Sequence, residues 1–299
     1  MHPVDALRRL GGLASYRALT GLSTRAQVES CLASGDIRRN GRGSYALPVT
    51  DDALAIAHAA SGVVSHLSGA QHWGWEVKTV PERVHLTVPR GRRSTTLLTE
   101  KCIPHRSDLV AGDVDGLVTS QGRTLIDCLR ALPEDEALCV ADSALRHAAV
   151  SPEELLLLAS HVAGPGAAQA RRVAARADGR AANPFESVLR QLCSAVPGLA
   201  VVLQVQIVGP DFVVRPDLVD GALGIVIEAE SQTWHNSSRA QLRRDCRRYT
   251  ALVVRGWLVV RFPWEDVMFE PQYIVEELIA LVLAAQRLPK DRLVARSVA

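Results

Sequence analysis

The chain has 299 residues, 47% hydrophobic and 22% charged, a composition that excludes wholesale disorder and implies about two domains, or three small ones. No apolar run approaches the roughly 18 residues of a membrane-spanning helix; the longest near the C-terminus is Leu278 to Ala285. The formal net charge of +2 is uninformative alone, but seven arginines face three acids in the first 50 residues, and five arginines face only Asp245 between Arg239 and Arg248.

Thirty-one of the 34 basic residues are arginine, a bias that GC-rich coding largely accounts for. Two basic clusters on a nearly neutral chain still point to phosphate-bearing partners. No apolar stretch precedes a cleavage site at the N-terminus, and six scattered cysteines form no Cys-x-x-Cys pair, so a reducing, cytoplasmic setting is expected. The nine histidines show no metal-ligand spacing, and His66, His72 and His85 read as ordinary polar or core positions.

Along the first 50 residues, Val4 to Leu10 predicts a helix ended by Gly11-Gly12, and Ser15 caps a second over Tyr16 to Thr20. Ser23 caps a third with Val28, Cys31 and Leu32 on one face and Gly35 as its stop. Ile37 to Arg39 and Ser44 to Leu47 flank the turn Asn40-Gly41-Arg42-Gly43. Three short helices and a basic hairpin predict a winged helix-turn-helix. Its third helix, opened by Arg25, would enter a major groove, and Arg38, Arg39 and Arg42 would sit beside phosphates. Winged helices also serve as protein-interaction modules; the basic wing tip favours DNA.

Residues 51–178 read as a mixed α/β middle domain. Ser65 to Ala70 is a capped helical turn, and Arg83 to Pro89 alternates Val84, Leu86 and Val88 as a half-buried strand. Leu125 to Leu132, Glu134 to His147 and Pro152 to His161 are predicted helices, and Ala174 to Ala182 a small-residue linker. With the winged helix, Ser65-His66-Leu67-Ser68-Gly69-Ala70 ahead of Trp73-Gly74, and Val118-Thr119-Ser120 leading into Arg123-Thr124-Leu125-Ile126-Asp127, this part resembles the AbiEi-type antitoxin family. That resemblance implies a transcriptional autorepressor paired with a nucleotidyltransferase toxin.

The last domain, 183–290, carries the densest chemistry. Asn183 caps a helix with Pro184 at its first position and Phe185, Val188, Leu189, Leu192, Cys193 and Val196 on one stripe. Strands follow at Val201 to Val208, Phe212 to Val219 and Leu223 to Glu230. A helix over Ser238 to Val254, with Leu242, Cys246, Tyr249 and Val253 on its apolar face, leads to a strand at Trp257 to Phe262 and a last helix at Tyr273 to Gln286. This α/β multidomain order, with Asp217 on the second strand and Glu228 and Glu230 on the third, is similar to the PD-(D/E)xK restriction-endonuclease-like αβββαβ core. The Asp220-Gly221 turn brings Asp217 towards Glu228 and Glu230, which share a strand face. Such an all-oxygen set suits Mg2+ or Mn2+, which would activate water and stabilise charge on a scissile phosphate. Arg215 or Arg244 could instead neutralise the acids in an inactive, salt-bridged relic.

More narrowly, residues 183–268 resemble Vsr-like (very-short-patch repair) endonuclease-related domains. The matching residues are Pro184-Phe185-Glu186-Ser187, Pro216-Asp217, Glu228-x-Glu230, His235, Arg244-Asp245, Gly256-Trp257 and Val260-Arg261-Phe262. The resemblance implies a site of Glu186, Asp217, Glu228, Glu230 and His235, with metal on Asp217, Glu228 and Glu230, and His235 as general base or donor to the leaving oxygen. Glu186 also fits a capping box with Asn183. Arg239, Arg243 and Arg247 form an arginine face for phosphates or for solvent. Three departures stand out: Glu230 occupies the motif lysine position, Glu230-Ser231 replaces aspartate-glycine, and Tyr249 replaces an aspartate. Two functions follow: a Mg2+-dependent DNA endonuclease, or an antitoxin-like autorepressor, with a cognate toxin, whose nuclease fold serves binding or dimerisation.

Overall fold

The computed structural model describes residues 1–10, 12–39, 43–93, 100–209, 212–230, 239–289 and 297–298. The chain is mixed α/β and divides into two compact units, Met1–Pro184 and Phe185–Ala299. Among the described residues, no helix is long and apolar enough to cross a membrane.

The first unit opens with α1 (Pro3–Arg9), β1 (Leu13–Ser15), α2 (Tyr16–Leu22), α3 (Arg25–Ser34), β2 (Arg38–Arg39) and β3 (Ser44–Ala46), the strands forming an antiparallel sheet in the order β1-β3-β2. Ser15 caps α2 as its sequence suggests. The cap of α3 is Thr24, not Ser23: Thr24 and Gln27 form a reciprocal capping box, and Gly35 ends the helix at φ 82°. Leu7, Leu19, Val28 and Ile37 close a core of their own within this segment.

Next come α4 (Val49–Ala60), β4 (Val63–Val64), α5 (His66–His72), β5 (Val84–Val88), β6 (Cys102–Arg106), β7 (Val114–Asp115) and β8 (Val118–Thr119). The strands form a mixed sheet, β6-β5-β4-β8-β7. One face carries Val84, Leu86 and Val88 onto Ala53, Ala57 and Ala60 of α4. By strand alternation the other face carries His85, Thr87 and His105, and α5 covers it. The helices α6 (Gln121–Ala131), α7 (Glu134–Arg146), α8 (Pro152–Ser160) and α9 (Ala167–Arg176) complete the unit around Leu125, Leu129, Leu138 and Leu155. The stretch expected as a linker is partly core: it buries Ala181, and Ala174 on α9. Gly166, which precedes it at φ 80°, has no room for a side chain, since a Cβ would sit 2.2 Å from the Arg130 carbonyl oxygen.

The second unit starts from α10 (Pro184–Cys193) and holds two sheets. Strands β9 (Val202–Leu203), β12 (Leu218–Asp220), β13 (Ile225–Glu230) and β14 (Leu258–Pro263) form the sheet β14-β13-β12-β9. A second sheet, β11-β10-β15, contains β10 (Ile207–Gly209), β11 (Phe212–Val214) and β15 (Ser297–Val298). Two long strands predicted from sequence are thus each broken and shared between sheets. Gln204 breaks the first by adopting φ 54°, a left-handed conformation that costs an ordinary residue about 1 kcal/mol or more. Arg215 Nε donates to the Gln204 carbonyl at 2.9 Å, and Gln204 N donates to the Asp217 carbonyl at 2.9 Å, fixing the kink. Strand β13 pairs antiparallel with β12 and parallel with β14, the parallel pair requiring the crossover helix α11 (Arg239–Val253). A short α12 (Trp264–Phe269) precedes α13 (Pro271–Arg287).

Of the apolar face expected on α11, only Tyr249 is withdrawn from solvent. Leu242 and Val253 are 43% and 57% exposed and Cys246 is exposed, whereas Leu252 is fully buried and Arg248 and Tyr249 are half-buried.

Candidate functional site

The β12–β13 register sets Leu218 opposite Ile227, so Asp217 falls beside Glu228. Glu228 ends the buried run Ile225-Val226-Ile227 and is itself only 3% exposed. Asp217 Oδ2 accepts from Ala229 N at 2.9 Å. Burial, then the neighbouring Asp217 charge, pushes Glu228 up to about 8 against the pull of Arg248. Burial likewise raises Asp217, opposed by the Ala229 N–H and by Glu228. Two neighbouring carboxyls largely withdrawn from water cannot both ionise cheaply.

Glu186 joins the pair through an amide. Gln204 Nε2 donates to Glu186 Oε2 at 3.0 Å and to Asp217 Oδ1 at 3.3 Å, and Glu186 is 4% exposed. The kink at Gln204 is thus what aims its side chain between α10 and β12. Asp220, by contrast, serves the turn: it accepts from Ala200 N at 2.8 Å and Leu223 N at 2.9 Å.

Glu230 belongs to a different network. Arg261 binds Glu230 Oε2 through two nitrogens, Nε at 2.8 Å, and Tyr249 donates to the same oxygen at 3.4 Å. The Arg261 guanidinium lies 4.1 Å from the Tyr249 ring centre. Arg248 links the two groups: its Nη2 donates to the Tyr249 hydroxyl at 2.8 Å and stands 3.2 Å from Glu228 Oε1. That last approach lies outside hydrogen-bond geometry, leaving Glu228 Oε1 and Arg248 Nε buried without hydrogen bonds. Each such atom costs about 1–3 kcal/mol. The structure therefore gathers Glu186, Asp217 and Glu228 and sets Glu230 on Arg261, while His235 lies outside the described residues. The counter-ions are Arg248 and Arg261, not Arg215 or Arg244. Arg248 is one helical turn beyond Arg244, which was the available signal; Gln204 gave none.

Among the described residues, no three His, Cys, Asp or Glu side chains are gathered closely enough to hold a metal ion by themselves. The donor set nevertheless fits a hard divalent cation, because magnesium sites commonly use one or two carboxylates and fill with water. Asp217 and Glu228 would be that pair, with Glu228 Oε1, which accepts no hydrogen bond, as one available ligand atom.

The arginines singled out from sequence are dispersed. Arg25 is exposed and paired with Glu29 at 2.8 Å; Arg38 is half-buried and Arg39 exposed on β2; Arg42 lies outside the described residues. Arg239 opens α11, and Arg243 and Arg247 on it are exposed.

A second polar centre lies in the first unit. His105 Nε2 is 3.1 Å from His85 Nδ1, and the His66 and His105 rings stack with centroids 3.4 Å apart. Ser65 Oγ is 2.9 Å from His66 Nδ1 and accepts from Thr87 Oγ1 at 2.9 Å. Trp73 Nε1 donates to the Thr119 carbonyl at 3.0 Å, and Arg123 holds Asp113 and Asp127 at 2.9 Å. The stretches 65–74 and 118–127, well separated in sequence, thus meet in one hydrogen-bonded cluster. His66 and His85 are hydrogen-bonded core positions, one of the two readings expected of them; His105 completes their group, and His72 instead meets Trp73 edge-on. Burial, then the neighbouring imidazoles, holds His66 well below its ordinary value; burial lowers both His85 and His105 to about 4.

No family model matches the chain. The uncharacterized proteins MT2308 and Rv2248 of Mycobacterium tuberculosis are each 28% identical to it over 258 residues, 83% of this chain and 93% of theirs. The crystal structure of the RV2827C protein from Mycobacterium tuberculosis matches with a TM-score of 0.30 and 16% identity, over 62% of this chain and 78% of that one. A similarity that slight does not define a common fold.

Proposed function

We propose that the Phe185–Ala299 unit is a Vsr-like, PD-(D/E)xK-type nuclease domain that hydrolyses DNA phosphodiesters with Mg2+ or Mn2+, and that residues 1–50 form a winged helix-turn-helix that binds the same duplex. The observation carrying this reading is the half-buried Asp217 beside the buried Glu228 at adjoining strands, with Glu186 tied to Asp217 by Gln204. The parallel β13–β14 pair with its crossover helix supports the nuclease fold, and the β1-β3-β2 sheet interleaved with three short helices supports the winged helix. Asp217 and Glu228 would hold the ion, and Glu186 would orient their shell through Gln204. A bound divalent cation supplies charge stabilisation at the phosphate and a more acidic water. His235 would take or give the proton at the reacting oxygens, and exposed Arg243 and Arg247 would meet the backbone phosphates.

One observation favours a second reading. Glu230 stands at the motif lysine position, is neutralised by Arg261 and accepts from the Tyr249 hydroxyl, so its charge is spent internally. A chain in that state would act as an AbiEi-like autorepressor with a partner toxin. Plasmid nicking separates the two. The nuclease reading expects nicking in Mg2+ or Mn2+ that falls at least about 100-fold in Glu228→Gln with the fold retained. Intact plasmid with both ions leaves a DNA-binding repressor.

A further inference from the structure

Among the described residues, two buried hydrogen-bonding atoms beside the carboxylate pair lack hydrogen-bond partners, one an acceptor, Glu228 Oε1, and one a donor, Arg248 Nε. They lie on side chains that form an ion pair at 3.2 Å, with Glu228 4% and Arg248 31% exposed at the side chain. The neighbouring pair is different: Arg261 grips a single Glu230 oxygen with two donors. Glu228 is therefore held by a cation that neutralises it without hydrogen-bonding to that oxygen. Arg248 has a second resting place already provided, since its Nη2 bonds the Tyr249 hydroxyl at 2.8 Å and its guanidinium lies 4.9 Å from that ring centre. Letting go of Glu228 does not strand it.

We propose that Arg248 is a built-in counter-cation for the Asp217–Glu228 pair, which a divalent ion must displace before it can bind. The inference rests on the divalent-cation reading above. In the metal-free chain Arg248 neutralises the pair and keeps the site closed to ions. An arriving cation takes over the carboxylates, and the guanidinium, still anchored on Tyr249, turns its free donors to an anion. Phosphate is the chemistry that matches a released guanidinium beside a cation. Cation and phosphate binding are thereby coupled, each favouring the state in which Arg248 has left Glu228.

The test is the Mn2+ concentration giving half of the maximal thermal shift, measured on the full chain for wild type, Arg248→Ala, Arg248→Gln and Glu228→Gln. The arginine variants should half-saturate at least about tenfold below wild type, equal to roughly 1.4 kcal/mol, whatever their melting temperature without metal. Glu228→Gln should show no shift. Glutamine retains part of the side-chain packing on Tyr249, so it serves if the alanine variant fails to fold. Equal or weaker Mn2+ binding in a folded arginine variant overturns the role of Arg248 while leaving the metal site standing. A flat response in all four proteins removes the metal site itself, and the displacement with it.

Discussion

Glu230 shows how one residue's neighbours reverse an expectation. Two acids on one strand face repel, so relieving that repulsion by Glu230→Gln is expected from sequence to raise the stability of an inactive relic. In the fold Glu230 is not confronting Glu228; it accepts from Arg261 and Tyr249. Glu230→Gln should therefore destabilise the chain, by about 1 kcal/mol for a partly exposed pair. Calorimetry decides the sign, and a raised melting temperature would show that repulsion outweighs the Arg261 bond. The meeting of Asp217 and Glu228 was legible, because Asp220-Gly221 fixes the hairpin and the hairpin fixes the register. Gln204 and Arg248 were not, since neither a left-handed glutamine nor a partner 20 residues along the chain leaves any local pattern.

Among the elements, α11 was misread for a related reason. Its turn towards the sheet is set by Arg248 meeting Glu228 as much as by Leu252, so of the stripe Leu242, Cys246, Tyr249 and Val253 that periodicity selects, all but Tyr249 are exposed. The sheet face of His85, Thr87 and His105 was hidden likewise: Pro104 within β6 masks the strand in sequence, and His66, His85 and His105 come from separate elements. These imidazoles carry a pH signature. Their folded values lie below the ordinary 6.5, so the unfolded chain binds more protons between about 4 and 6.5. The stability they provide is present above about pH 6.5 and is lost as pH falls towards 4. Arg83, Arg123 and Arg130 add repulsion in the same direction. A His85→Asn, His105→Gln chain should lose less melting temperature than wild type between pH 7 and pH 5. Parallel losses in the two proteins would show that the histidines are not what acid attacks.

Across the whole molecule, the mixed α/β character, the basic hairpin and the separation of a C-terminal unit were readable from capping residues, glycines and charge, while the breaking of strands between two sheets was not. The charge distribution makes a prediction at this scale. Arg25 is partly neutralised by Glu29, so the wing rather than α3 should bind the backbone phosphates on behalf of the first unit. Replacing Arg38, Arg39 and Arg42 with alanine should lower the slope of log K against log salt by about one unit for each phosphate no longer neutralised. An unchanged slope would assign the phosphates to Arg243 and Arg247, or to α3.

All functional readings of the second unit turn on whether Asp217 and Glu228 hold a divalent cation. Electron paramagnetic resonance of free Mn2+, titrated with the full chain, counts bound ions directly. One Mn2+ per chain in wild type, abolished in both Asp217→Asn and Glu228→Gln, is the expected result. No bound ion in wild type, or undiminished binding in either folded variant, would contradict it.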